Sequence, residues 1–254
     1  MDARFAAAAF ATLVATGCAT VSEPRTVTVM SGGAVKSALT DAIAAWESRT
    51  GHKVNATFAP AGDMRKKIAA GEVYDIVVIP VENFADLERA GAIDPASRRD
   101  LAGVSMGAAV RSGAPVPDIS TPEALRKTLT DAKSLTYMDP AIGTSGKHFD
   151  ESVLPKLGVR DAVRAKTQFG KGGYIAEKVA SGEVEIAFHN MTELKPVPGV
   201  TIVGPLPDSL QKVTIYAGAV MKAARRPREA GQLLEFLRSP EGRKAFLDRG
   251  YAAP

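Results

Sequence analysis

The chain is poor in the residues that build metal clusters, disulfides and base-stacking surfaces. Its 254 residues include one cysteine, three histidines and one tryptophan, and aromatic residues make up 6%. A single thiol, Cys18, excludes an internal disulfide, and three imidazoles with one thiol are too few for a metal cluster of His and Cys. Lysine and arginine are spread along the chain rather than interleaved with aromatics, so no nucleic-acid partner is expected. No apolar run approaches the about 20 residues that cross a bilayer as a helix. What is present is globular: 45% hydrophobic and 24% charged residues, enough for one large or two modest domains. The net charge of +4 favours small anionic partners.

The uncharged stretch Phe5 to Ala15 has the length of a signal-peptide core and follows Arg4. Ala15, Thr16 and Gly17 then precede Cys18, so residues 1–18 read as an export leader. Two endings stay open: lipidation of Cys18 as the new N-terminus, which would anchor the protein to a membrane from the periplasmic side, or ordinary cleavage near Gly17 or Ala19. Asp2 and Arg4 cancel, so the charge balance survives removal of the leader.

From Thr26 the chain alternates strand and helix patterns. Thr26–Met30, Lys53–Phe58 and Tyr74–Ile79 read as strands. Between the first two, Val35, Leu39, Ala42, Ile43 and Trp46 recur at helical spacing, and Gly51 ends that helix. Helices are expected over Gly62–Ala70 and Pro80–Ala90. The order restarts with a strand at Gly103–Arg111, a helix opened by Thr121 and Pro122, strands at Leu135–Met138 and Val184–Phe188, and a helix over Gly173–Ser181. Val213–Met221 then reads as a strand, followed by helices at 227–238 and after Ser239. This order predicts an α/β fold with mostly parallel sheets, whose ligands bind beyond the carboxyl edges of the strands. Gly62–Val73 and Gly173–Val184 also echo each other, with Gly71-Glu72-Val73 matching Gly182-Glu183-Val184.

Four loops, two from each half, carry glycine or hydroxyl groups just before a helix: Ser31 to Ala34, Phe58 to Asp63, Asp139 to Gly146, and Gln168 to Tyr174. Helix N-termini present unpaired N–H groups and a positive dipole end, and glycine lets a ligand approach the backbone, so these loops suit a small anion. The competing reading of each is a tight turn. Asp63 suits a helix cap, and His189, at the end of a strand, is either a ligand contact or a structural residue. The first loop is not GxGxxG and the third lacks the P-loop Lys-Ser/Thr pair, so no nucleotide site is expected. With too few His and Cys for a metal cluster, neither a cofactor nor a metal is expected. No nucleophile elbow occurs.

Val27–Ala34, Phe58–Gly62, Tyr74–Val77, Asp139–Gly146, Gly182–Ala187 and Ser239–Gly242 together resemble the periplasmic molybdate-binding-protein-like family of type II solute-binding proteins, over about residues 26–254. The resemblance implies two lobes, each a mostly parallel sheet flanked by helices, with two crossing strands as hinge near 103–112 and 204–215. Residues 26–104 and 213–254 would form lobe I and residues 105–212 lobe II. It also implies a monomer that passes a small anion to an ABC permease in the inner membrane. The ligand-binding set carried over is Ser31, Gly32, Gly33, Ala34, Ala61, Gly62, Thr144, Ser145, Gly146, Lys147, Gly172, Gly173, Tyr174 and His189.

The chain departs from the molybdate pattern. Ala34 and Ala61 or Gly62 stand where that family places hydroxyl donors, and its late tyrosine is replaced near Phe188 or His189. Each missing partner to a desolvated anion costs about 1–3 kcal/mol. Lys36, Arg65, Lys147, Lys171 and His189 suit an organic carboxylate instead. The Gly-Thr-Ser-Gly segment is also similar to that of exported aconitate isomerases, which would make the same cleft an active site with His189 or Lys36 as base.

Overall fold

The computed structural model describes residues 25–254; the expected leader, with Cys18, lies outside the described residues. Among the described residues, nine strands form two sheets. The first contains β1 (Thr26–Ser31), β2 (Lys53–Phe58), β3 (Ile76–Pro80), β4 (Arg99–Val104) and β9 (Thr214–Val220), in the order β2-β1-β3-β9-β4. The second contains β5 (Met106–Arg111), β6 (Leu135–Tyr137), β7 (Ile186–Asn190) and β8 (Val200–Pro205), in the order β6-β7-β5-β8.

The parallel pairing expected from strand–helix alternation is confined to β2-β1-β3 and β6-β7. The remaining pairs, β3-β9, β4-β9, β5-β7 and β5-β8, are antiparallel, so both sheets are mixed. The reason is connectivity. The stretch Gly103–Arg111, expected as one strand, is two: β4 ends at Val104 and β5 begins at Met106, with only Ser105 between. The chain leaves one sheet and enters the other there, and it returns between Pro205 and Thr214. These strands cross between the sheets without a helix, and β5 and β9, each arriving from the other sheet, run antiparallel to the neighbours they join.

Each sheet is covered by the faces that the apolar spacing marks. Helix Lys36–Thr50 buries Ala38, Leu39, Ala42, Ile43 and Trp46, and Gly51 ends it at φ 72° with its N–H on the Glu47 carbonyl. Helix Pro227–Arg238, with proline at its start, packs Ala230, Leu233, Leu234 and Leu237 into the same core. The second lobe closes around Tyr137, Phe149 and Phe188, whose rings pack at centroid distances of 5.1 and 4.8 Å.

The echo between the halves holds at its stop signal. Gly71 and Gly182 both adopt positive φ, 84° and 83°, which glycine alone adopts without strain. The helices before them differ. Ala61–Ala69 is a full helix, whereas Gly173–Ser181 is helical only over Glu177–Ala180. Gly172 and Gly173 sit at φ 133° and 69°, outside the helical region, so the helix cannot start at Gly173.

Candidate functional site

The carboxyl ends of the parallel strands meet across the gap between the sheets. β1 delivers Gly32, Gly33 and Ala34; β2 delivers Phe58 to Ala61; β6 leads to Met138 and Gly143 to Ser145; β7 ends in His189 and Asn190, with Glu193 one turn on. Together with Lys36, Gly173, Tyr174 and Tyr216 they enclose a cavity of about 180 Å³. Drug-sized ligands fill about 300–1,000 Å³, so this cavity has room only for a small guest.

Several bonds hold the two lobes against each other around it. Thr192 Oγ1 donates to the Ala34 carbonyl at 2.8 Å, which also accepts from Tyr251 at 2.7 Å. The Gly62 N–H donates to the Ile142 carbonyl at 2.9 Å. On one side of the cleft Lys212 pairs with Glu82 at 3.0 Å.

The ionisable groups of the cavity form a small set. Lys36 Nζ lies over two rings, 5.6 Å from the centre of Phe58 and 5.4 Å from that of Tyr174. It has no ion-pair partner among the described residues. Glu193 and His189 are buried, with Glu193 Oε2 3.2 Å from His189 Nε2. That approach suits an ion pair but is out of line for a hydrogen bond, so His189 Nε2 has no hydrogen-bond partner among the described residues. His189 Nδ1 lies 3.1 Å from Ser145 Oγ, and Asn190 Nδ2 donates to Glu193 Oε2 at 2.7 Å. Burial pushes the Glu193 carboxyl up, but the charge of the adjacent His189 and the bond from Asn190 outweigh it and hold the group below the ordinary carboxylate range. Tyr216 is pushed well above an ordinary phenol, first by burial and then by the negative charge of Glu193, so it stays a hydroxyl donor.

The sequence model of the bacterial extracellular solute-binding proteins matches residues 27–252. The chain belongs to that family. A Pseudomonas protein named aconitate isomerase is 34% identical to this solute-binding protein over 230 residues, covering 89% of this chain and 87% of that one. A Bacillus subtilis protein, provisionally named an ABC transporter substrate-binding lipoprotein, is 24% identical over 258 residues, 98% of this chain and 97% of that one. In fold, the chain is similar to the Azotobacter vinelandii periplasmic molybdate-binding protein, with a TM-score of 0.76 at 18% identity over 90% of this chain and 99% of that one. The architecture is the two-lobed type II periplasmic binding fold.

Within this solute-binding protein the expected ligand residues divide. Gly32, Gly33, Ala34, Ala61, Thr144, Ser145, Gly173, Tyr174 and His189 line the cavity, as does Lys36. Ser31 does not: its side chain is fully buried and donates to the Gly32 carbonyl. Gly146 packs against the Met138 carbonyl, where a Cβ would come within 1.8 Å, and so supports the loop from behind. Gly172 lies beside Pro60 outside the cavity lining. Gly62, Arg65 and Lys147 line a neighbouring polar cleft of about 400 Å³ on the other side of the Gly62–Ile142 contact. Lys171 is exposed and lines neither. Asp63 does not cap its helix, whose N-cap is Pro60, and pairs with Lys66 instead.

Sequence reasoning missed Asn190, Glu193 and Tyr216. Glu193 follows His189 at helical i,i+4 spacing, a signal that could have tied the two. Tyr216 has no local signal. It reaches the site because β9 runs antiparallel, so its start lies beside Pro80 at the carboxyl end of β3.

Proposed function

We propose that the cleft binds a small organic carboxylate and shifts a proton on it, as an isomerase of an unsaturated tricarboxylate. The observation that carries this reading is the buried Glu193–His189 pair opening onto the same cavity as the Lys36 ammonium. A site that only holds an anion gains nothing from a carboxylate inside it, because like charges repel strongly away from water. A proton shift, in contrast, needs a base beside a cationic anchor. Lys36 pairs with one substrate carboxylate, and the first N–H groups of the helical turns at Gly33 and Thr144 donate to another. Alanine at positions 34 and 61 removes hydroxyls that an inorganic oxyanion would need, and the 34% identical aconitate isomerase supports the substrate class. Incubation with cis- or trans-aconitate, followed by proton NMR, is expected to yield the other isomer; binding without turnover rejects the reading.

Family membership and the Bacillus relative favour a second reading, a monomeric binding protein that delivers a carboxylate or oxyanion to an ABC permease. Lobe I (residues 26–104 and 213–254) and lobe II (105–212) would close about a hinge at Ser105 and the returning segment. Thermal shifts against molybdate, tungstate, sulfate, dicarboxylates and tricarboxylates separate the two readings: a rise with an oxyanion alone favours delivery. In either case residues 1–18 direct export to the periplasm with Cys18 as the lipid-bearing N-terminus. Retention of a Cys18→Ser variant in the membrane fraction would count against the anchor.

A further inference from the structure

The two oxygens of Glu193 are not equivalent. Oε2 is committed, accepting from Asn190 Nδ2 at 2.7 Å and facing His189 Nε2 at 3.2 Å. Oε1 accepts no hydrogen bond from the described residues and stands over Gly33 of the opposite lobe, in the cavity wall. A Cβ at position 33 would lie 2.7 Å from Oε1 and would push that oxygen aside, so glycine is what lets it stand where it does. Gly33 has no need of glycine on backbone grounds, since it is absent from the positive-φ positions. The neighbouring bond from Thr192 to the Ala34 carbonyl sets the distance between the two loops, so the carboxylate and the bare backbone beneath it are juxtaposed only when the lobes are together.

Resting on the isomerase reading above, we infer that Glu193 Oε1 is the atom that takes and returns the proton, and that Gly33 is a positioning residue that keeps it accessible. The step balances without an oxidant or a co-reactant. A C–H bond on the methylene next to a substrate carboxylate breaks, and its proton forms an O–H bond on Oε1. The electron pair left behind spreads over the three allylic carbons and the carboxylate facing Lys36. The same O–H then delivers its proton to the far allylic carbon, the double bond moves by one position, and Glu193 is again a carboxylate. His189, held through Nδ1 by Ser145, keeps its other nitrogen against Oε2 throughout and so fixes which oxygen is free.

The test uses the full-length mature protein and trans-aconitate in D₂O, followed by proton NMR, with a thermal shift in parallel. Wild type is expected to isomerise the substrate and to exchange its allylic protons. Glu193→Gln keeps the aconitate-induced rise in melting temperature while turnover falls by about 10²–10⁴-fold, the usual loss on removing a general base. Gly33→Ala lowers kcat by about tenfold with KM within about threefold, and in the E193Q background it has no further effect on kcat. An active wild type with E193Q within about threefold of it overturns the assignment and leaves the isomerase reading standing. A wild type that binds aconitate without turnover removes that reading and the assignment together. If E193Q does not fold, G33A decides alone, because an unchanged kcat there overturns the positioning role.

Discussion

Lys36 Nζ sits 5.4 Å from the ring centre of Tyr174, a residue of the opposite lobe, while Phe58 from its own lobe holds it at 5.6 Å. The ammonium is therefore placed by aromatic faces from both lobes and left without an acid partner among the described residues. A cation held in this way is available to a guest.

Removing that charge is expected to weaken binding of a di- or tricarboxylate and leave the fold intact, because Lys36 is exposed at the rim. A hydrogen bond to a charged group contributes about 1.5–3 kcal/mol, so Lys36→Met should raise the dissociation constant about 10- to 150-fold. Isothermal titration checks this, and an unchanged constant would place the anion elsewhere in the cleft.

Thr192→Val keeps the shape of the side chain and deletes its bond to Ala34. The carbonyl keeps Tyr251 as donor, so no acceptor is stranded. The loss is about 0.5–1.5 kcal/mol of lobe–lobe contact, expected as a roughly two- to tenfold weaker ligand affinity with little change in the unliganded melting temperature. A drop in stability without a drop in affinity would show that the bond serves the fold and not closure.

Gly146→Ala probes the support of the Thr144–Ser145 loop. The added carbon would lie 1.8 Å from the Met138 carbonyl oxygen, and backbone on both sides cannot yield as a side-chain tip does. Overpacking of this kind costs about 1–3 kcal/mol or more, measurable by urea denaturation. Wild-type stability together with wild-type binding would mean that the loop is looser than its packing implies.

Acid should destabilise the protein through Asp150. Burial pushes this carboxyl up, but bonds from Arg160 and Tyr137 and the charge of Arg164 outweigh it, so it lies below its ordinary value in the folded state. A lowered folded value means stability is fully present above the unfolded carboxylate value, near about 3.9, and is lost as pH falls through the folded one. Glu193 acts in the same direction. Urea midpoints at pH 7 and pH 3 are expected to differ, and Asp150→Asn should lower the first while flattening the difference. An equal acid slope in the variant would assign the effect to other groups.

Much of the scaffold was readable from spacing. The apolar positions of helix Lys36–Thr50 and helix Pro227–Arg238, the unbroken β3 run and the turn glycines at 51, 71 and 182 are local patterns with local causes. The loops at Gly32–Ala34 and Thr144–Ser145 were readable for the same reason, since glycine and hydroxyl residues before a helix mark exposed backbone donors. Strand direction was not, because hydrophobic runs carry no sign of parallel or antiparallel pairing, and the single residue Ser105 that separates β4 from β5 interrupts no pattern.

Chain order and residue chemistry alone determined that this is an α/β protein with anion-suited loops in both halves, because backbone geometry and helix ends depend on near neighbours. Only the tertiary structure decided that Glu193 of one lobe lies over Gly33 of the other, that Tyr216 joins them from an antiparallel strand, and that Lys147 and Arg65 face a different cleft. Those relationships depend on how two lobes approach each other, and a carboxylate in a short helix looks the same in sequence whether it meets water or a buried imidazole.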